Sequence, residues 1–207
     1  MNGGDERSLD HRSYTGKQIH GLQPIELVEK IIRERILESL YYKEQCFALN
    51  AATLLDRASE IKNVGGQYSN QRPTEFLCLA FKLLQIQPDR EIVITYLDDE
   101  EWKYLRCLAA FYIRLTFPAA DVYTLLEPYL VDYRKVKRRT QWGWELTYVD
   151  DFVDDLLVKE RVCDIALPRL PARGQLEDED KLAARISAIA SELDSDENSS
   201  ESESQSE

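Results

Sequence analysis

The chain has 207 residues, 43% of them hydrophobic and 31% charged, which suits one domain with a sizeable core plus tails. Its formal net charge is -12, but residues 175–207 hold eleven acids against Lys181 and Arg185, a share of -9, leaving -3 on residues 1–174. A nearly neutral body excludes neither a protein nor a nucleic-acid partner, whereas the lack of any run near the ~20 apolar residues of a membrane span argues against a membrane protein.

The opening MNGGDERSLDHRSYTGKQ is polar and aperiodic, so residues 1–20 are expected to form a flexible arm without a secretory signal, in a soluble intracellular protein. From Pro24 the pattern changes. Ile25, Val28, Ile32 and Ile36 recur at helical spacing, with Leu27 and Ile31 beside them, and predict one amphipathic helix that opens on proline. NAATLLDRASEIKNVGG predicts a second, with Asn50 as cap, a stripe of Leu54, Leu55, Ala58 and Ile61, and Gly65 as the stop. In TEFLCLAFKLLQIQP, Thr74 is the expected cap, worth ~1 kcal/mol, and apolar residues cover nearly the whole circumference, so this helix belongs at the centre.

PDREIVITYL has strand propensity at Ile92–Tyr96, but Pro88–Asp89 resembles a helix start, and a short helix is expected. DDEEWKYLRCLAAFYIRLTF predicts a helix with acids at its positive end and Trp102, Leu105, Ala109, Tyr112 and Ile113 inward. Pro118 ends it and opens another through PAADVYTLLEPYL.

YRKVKRRTQWGWELTYVDDFVDDLL departs from this pattern. Trp144, Leu146 and Tyr148 alternate with Glu145 and Thr147, which predicts a β-hairpin over about 134–148 that turns near Gly143 and packs its Trp/Leu/Tyr face on the helices. A helix follows, with Val149, Phe152, Val153, Leu156 and Leu157 inward. Further on, Leu182, Ile186, Ile189 and Leu193 predict an amphipathic helix within 175–193, ahead of a disordered acidic, serine-rich tail over 194–207. The expected fold class is therefore mainly α: a single irregular multi-helix domain over 21–174 with one inserted hairpin.

The hairpin region carries the candidate contact residues Arg134, Lys135, Lys137, Arg138, Arg139, Trp142 and Trp144. Cations with aromatics suit RNA, by phosphate contact and base stacking. The same cations also balance five acids, Glu145, Asp150, Asp151, Asp154 and Asp155, so a structural role for the run stands beside the RNA reading. RKVK has the composition of an import signal, which a hairpin would present poorly.

DDFVD matches the DDxxD pattern of magnesium-diphosphate sites, but aspartates in a first helical turn are explained by the helix dipole alone, and no second acidic motif accompanies them. Cys46, Cys78, Cys107 and Cys163 are too scattered for a zinc knuckle and read as buried reduced thiols. His11 and His20 fall in the arm, and NVGGQY is a GG turn without a P-loop lysine. No enzyme, metal, cofactor or small-molecule substrate is expected. Ser200 and Ser204, each with a glutamate three residues on, are candidate phosphorylation sites for acid-directed kinases.

LVEKIIRERILESLYYKEQCFAL, VGGQY, FLCLAFKLLQIQP, LEPYLVDYRKVK, YVDDFVDDLL and RVCDIALPRL, in this order from about Gly21 to Leu170, resemble the pre-mRNA-splicing factor 38 family. The resemblance implies a nuclear, non-enzymatic spliceosome component that travels with the tri-snRNP or joins at the pre-catalytic B stage and is needed for activation. It also implies a helical platform for a zinc-finger splicing factor and a microfibrillar-associated-protein-like splicing factor, whose long helices lie along it, and makes the cationic rim of the hairpin a candidate contact for an acidic partner helix or nearby snRNA. Animal members of the family carry an arginine–serine-rich tail, whereas this sequence ends in acids and serines.

Overall fold

The structure is a computed structural model and describes Gly16 and residues 18–185. His11, Ser200, Ser204 and the tail expected at 194–207 lie outside the described residues. The chain divides into two compact units, one ending at Leu170 and the other beginning at Pro171, so residues 171–174, expected in the body, fall in the second.

The first unit is mainly α, as expected, with helices α1 (Lys30–Glu38), α2 (Leu40–Gln45), α3 (Ala51–Ser59), α4 (Glu75–Ile86), α5 (Arg90–Asp98), α6 (Lys103–Thr116), α7 (Ala119–Leu126) and α8 (Val149–Val158). Short strands interrupt them: β1 (Val64–Gly65), β2 (Lys135–Thr140), β3 (Gly143–Tyr148), β4 (Arg161–Val162) and β5 (Ile165–Ala166). The single helix expected from Pro24 is in fact a 3-10 turn over Pro24–Leu27 and then α1, because Val28 and Glu29 are extended (ψ 129 and 142). The stripe nevertheless survives the break, with Leu27, Val28, Ile32 and Ile36 buried. Two residues expected in the arm are structured: Ile19 bridges to Leu22 through a tight turn that holds His20 at φ 52, and Ile19 packs against the core.

Caps set several helix starts. The Asn50 side chain accepts from the Thr53 amide while Thr53 Oγ1 accepts from the Asn50 amide, a reciprocal cap. Thr74 Oγ1 accepts from the Leu77 amide and donates to the Gly65 carbonyl, which ties the head of α4 to β1. The Ile92–Tyr96 segment lies within α5, its β-branched residues overridden by the start at Pro88–Asp89. The acids expected at the positive end of α6 directly precede it, and Asp99 accepts from the Glu101 and Trp102 amides there.

The core centres on α4 and α6. From Phe76 to Leu84 only Lys82 escapes full burial, and in α6 every residue from Leu105 to Leu115 is buried, including Arg106 and Arg114. α6 packs against α3, α4, α5, α7 and α8.

The VGG segment corrects two expectations. Gly65 does not stop α3, which ends at Ser59, and the glycines form no free turn. Instead β1 pairs in parallel with β2, Val64 opposite Arg138 and Gly65 opposite Arg139, and β2 pairs antiparallel with β3. A Cβ on Gly65 would collide with the Arg139 carbonyl, and one on Gly66 with the Cys163 carbonyl and the Asp164 carboxylate. The β4–β5 turn places Cys163 (φ 52) and Asp164 (φ 63) in left-handed conformations, and Asp164 Oδ2 accepts from the Gln67 amide at 2.8 Å. Both glycines are therefore required by close backbone approach.

In the second unit, α9 (Arg173–Asp178) is shorter than the helix expected over 175–193. Asp180 turns left-handed (φ 55), with its amide on the Glu177 carbonyl and the Lys181 amide on the Leu176 carbonyl, a Schellman stop without glycine. Residues 181–185 are not helical, and 186–193 lie outside the described residues.

Gly66→Ala is expected to lower stability by roughly 1–3 kcal/mol, the usual penalty of overpacking a site that cannot yield. Urea denaturation would check this, with Gly174→Ala, at an open position, as the control that stays near wild type.

Candidate interaction surface

The hairpin is present where expected, but it faces the opposite way. Val136 is fully buried and Thr147, its cross-strand partner, is 8% exposed, so the β2–β3 face that meets the body carries Val136, Arg138 and Thr147. Trp144 and Leu146 are each 60% exposed, Tyr148 lies on their side, and Trp142 at the turn tip is 97% exposed. Alternation reveals two faces of a strand but not which one packs inward. Here the inner site takes two compact β-branched side chains and an arginine that meets its counter-charge, and the larger aromatics are left outside.

The cations of this run separate by face. Arg134 clamps Asp132 with two nitrogens (2.8 and 2.6 Å) and donates a third bond to the Glu100 carbonyl. Arg138 reaches inward to Asp155 at 2.6 Å, and Lys159 binds the other oxygen of that carboxylate at 2.6 Å. Lys135 and Lys137 are exposed and lie beside Arg139 on the outer face. The Arg139 guanidinium is stacked between Tyr68 (4.9 Å to the ring centroid) and Trp144 (5.0 Å), and its Nε is buried without a hydrogen-bond partner. Of the candidate contact residues, Lys135, Lys137, Arg139, Trp142 and Trp144 lie at the outer face or the turn tip, while Arg134 and Arg138 hold the fold together. Tyr68 belongs to this surface and was missed, because it arrives from VGGQY far away in the chain.

Asp132 anchors the base of the hairpin. Besides Arg134 it accepts from Arg106 Nη1 at 2.6 Å, and its own carbonyl takes the Asp150 amide that opens α8. Burial alone would raise this carboxyl, but the hydrogen bonds from Arg134 and Arg106 prevail and hold it at about 2. Arg106 also caps α5, donating to the Leu97 and Asp99 carbonyls at 2.9 Å each, and stacks on Tyr129.

The aspartates of DDFVD behave as helix-start and ion-pair residues. Asp150 and Asp151 lie in the first turn of α8, Asp151 accepts from Thr147 Oγ1, and Asp155 is already matched by two cations. Among the described residues no group of three or more histidines, cysteines or acids is arranged to hold a metal. All four cysteines are free and buried. Burial pushes the Cys46, Cys78 and Cys163 thiols up to about 12 and Cys107 higher still, which leaves them unreactive as nucleophiles. No described helix is long and apolar enough to cross a membrane.

Two further large apolar side chains are exposed at the two ends of α2, none of whose residues is fully buried. Leu40 on α2 is 64% exposed, and Phe47 just beyond it is 80% exposed.

Comparison with known proteins places these surfaces in a family context. The model of the PRP38 family matches residues 17–180. "Pre-mRNA-splicing factor 38" of Schizosaccharomyces pombe is 56% identical over 178 residues, 86% of this chain and 84% of that protein. The Drosophila melanogaster protein of the same name is 49% identical over 180 residues, covering 86% of this chain but 54% of its own length. "Pre-mRNA-splicing factor 38A" of Homo sapiens is 51% identical over 178 residues, covering 85% and 57%. The chain thus spans little more than half the length of these animal relatives. Among solved structures it is similar to a chain of the crystal structure of the Snu23-Prp38-MFAP1(217-258) complex of Chaetomium thermophilum, with a TM-score of 0.82, 48% identity, and coverage of 89% of this chain and 99% of that one.

The depressed Asp132 carboxyl makes a pH prediction. Its pKa falls from the ordinary 3.8 to about 2 on folding, so its contribution, on the order of 2 kcal/mol, is present above about pH 4 and lost as pH falls through about 2. Urea midpoints measured against pH should show Asp132→Asn well below wild type near neutrality, with the gap closing across that acid window.

Proposed function

The chain belongs to the PRP38 family, and from that premise we propose that it acts as a non-catalytic scaffold of the nuclear spliceosome. It holds partner proteins together during pre-mRNA splicing, at the tri-snRNP or pre-catalytic B stage, and is needed for activation. The reading is carried above all by the likeness to the Prp38 chain that was crystallised with Snu23 and MFAP1(217-258). By that likeness, the partners of this chain are its own counterparts of those two proteins, the zinc-finger factor and the microfibrillar-associated-protein-like factor.

The surface chemistry fits a protein that docks others. Large apolar side chains stand exposed in two regions, Trp142, Trp144 and Leu146 on the hairpin and Leu40 and Phe47 at the two ends of α2, and exposed aromatic residues are the usual anchors of interfaces. RNA contact at the hairpin is weakened as a reading, because two of its five cations are consumed by Asp132 and Asp155.

Co-purification of the full chain with its Snu23 and MFAP1 counterparts tests the proposal. Replacing Trp144 and Leu146 together by serine, or Leu40 and Phe47 together by serine, should weaken capture of at least one partner by about tenfold or more, with circular dichroism of each variant checking that the fold is retained. A wild-type chain that captures neither partner would refute the scaffold. Unchanged capture by both double variants would refute these two patches as its contact surfaces.

A further inference from the structure

Two arginines sit inside α6, and only one of them meets a carboxylate. Arg106 is paired with Asp132 at 2.6 Å. Arg114 is 4% exposed and has only carbonyls for partners, that of Leu156 on Nε and that of Pro168 on Nη2, each at 2.7 Å. Among the described residues its Nη1 has no hydrogen-bond partner and no acid forms an ion pair with it. A guanidinium stays charged at any ordinary pH, so burying one without a counter-charge is costly. Burial lowers its proton affinity, and only Tyr123 works against that.

A recess of about 600 Å³ opens beside this cation. Arg114 lines it from α6, Leu157 and Val158 from the end of α8, and Leu167 and Leu170 from the segment after β5. The volume is that of a site for a small molecule or a modified side chain, far more than a trapped water needs.

The charges around the recess are unevenly matched. Lys159 shares the Asp155 carboxylate with Arg138, two cations on one acid. Arg161 is matched by Glu29. Arg169 is exposed and makes no hydrogen bond or ion pair among the described residues. Against these cations the lining itself supplies one acid, Glu160. An excess of positive charge remains, and part of it is buried, where an ion pair is screened least. Two carbonyls at the end of α8 that would repel an anion are already taken, that of Asp155 by the Lys159 amide and that of Leu156 by Arg114.

We propose that this recess is a phosphate site, with Arg114 as the buried counter-ion and Arg169 and Lys159 meeting the ligand from the rim. Its ligand is a phosphate monoester, whose charge of about −1.5 to −2 at neutral pH answers the excess better than the single charge of a carboxylate or a phosphodiester. The arginine fork suits phosphate oxygens, and the leucines of the lining seat the apolar part of whatever carries the phosphate.

The test adds inorganic phosphate, or a phosphoserine peptide with leucines beside the modified residue, to the full chain at constant ionic strength. Arginine Nε–Hε NMR should show the Arg114 resonance moving with both, and not with chloride. Arg169→Ala should weaken phosphate binding by about tenfold. Val158→Glu, at a position 72% exposed, should abolish it by giving the recess a carboxylate of its own. Both variants leave Arg114, which holds the end of α8, in place, and circular dichroism checks that each is folded. Tighter binding of the peptide than of inorganic phosphate assigns the ligand to a modified polypeptide, equal binding assigns it to free phosphate, and either supports the site. An Arg114 resonance that phosphate leaves unmoved, or that chloride moves equally, would overturn the proposal, as would equal binding of acetate or of a dinucleotide phosphodiester. Should Val158→Glu disturb the fold, the comparison of phosphate, acetate and chloride on the wild-type chain decides alone.

Discussion

A helix buried at its end must find partners for carbonyls that no further turn satisfies, and the fold depends on how α6 meets that need for its neighbours. Two arginines lie inside this otherwise apolar helix. Arg106 takes carbonyls at the end of α5, and Arg114 takes the Leu156 carbonyl near the end of α8 and the Pro168 carbonyl beyond it, each at 2.7 Å. Burial lowers the proton affinity of the Arg114 guanidinium, yet a cation against a helix C-terminus is favourably placed. Through Asp132, Arg106 also fixes where the hairpin leaves the body and where α8 begins. One helix thus sets the α5 corner, the base of the hairpin and the course of the chain after α8.

Much of this architecture was legible in the sequence. Asn50 and Thr74 marked helix starts by their chemistry, the apolar circumference of α4 announced its place at the centre, and Pro88–Asp89 was enough to overrule the β-branched run in α5. What could not be read depended on contacts distant in the chain. The inner face of the hairpin was set by Asp155, which receives Arg138, and by room for Val136 and Thr147, while the aromatic face looked more core-like and was left outside. Arg106 and Arg114 interrupt a hydrophobic pattern, and a pattern alone does not distinguish a solvated charge from one that caps a neighbouring helix. The stop of α9 at Asp180 lacks the glycine that usually announces it.

The candidate surface shows the same division. The run from Arg134 to Arg139 was singled out for its charge, but its charges serve two purposes according to strand parity: Arg138 is bound inward, while Lys135, Lys137 and Arg139 stand outward beside exposed aromatics. Among the described residues nothing covers Trp142, Trp144 or Leu146 on that face.

The seating of Cys163–Asp164 against Gly66–Gln67 bears on the order in which the chain folds. β1 and β2 are joined across most of the helical body, and the Gln67 amide waits for a carboxylate 97 residues further on. Closing loops of that length is entropically slow compared with helix formation and local helix pairing. The helices around α4 and α6 can assemble during synthesis, and Val64 and Gly65 can pair once Arg138 and Arg139 are made, but the Gln67 amide has its partner only when Asp164 emerges. A chain halted before that residue should show helical structure with an unprotected Gln67 amide.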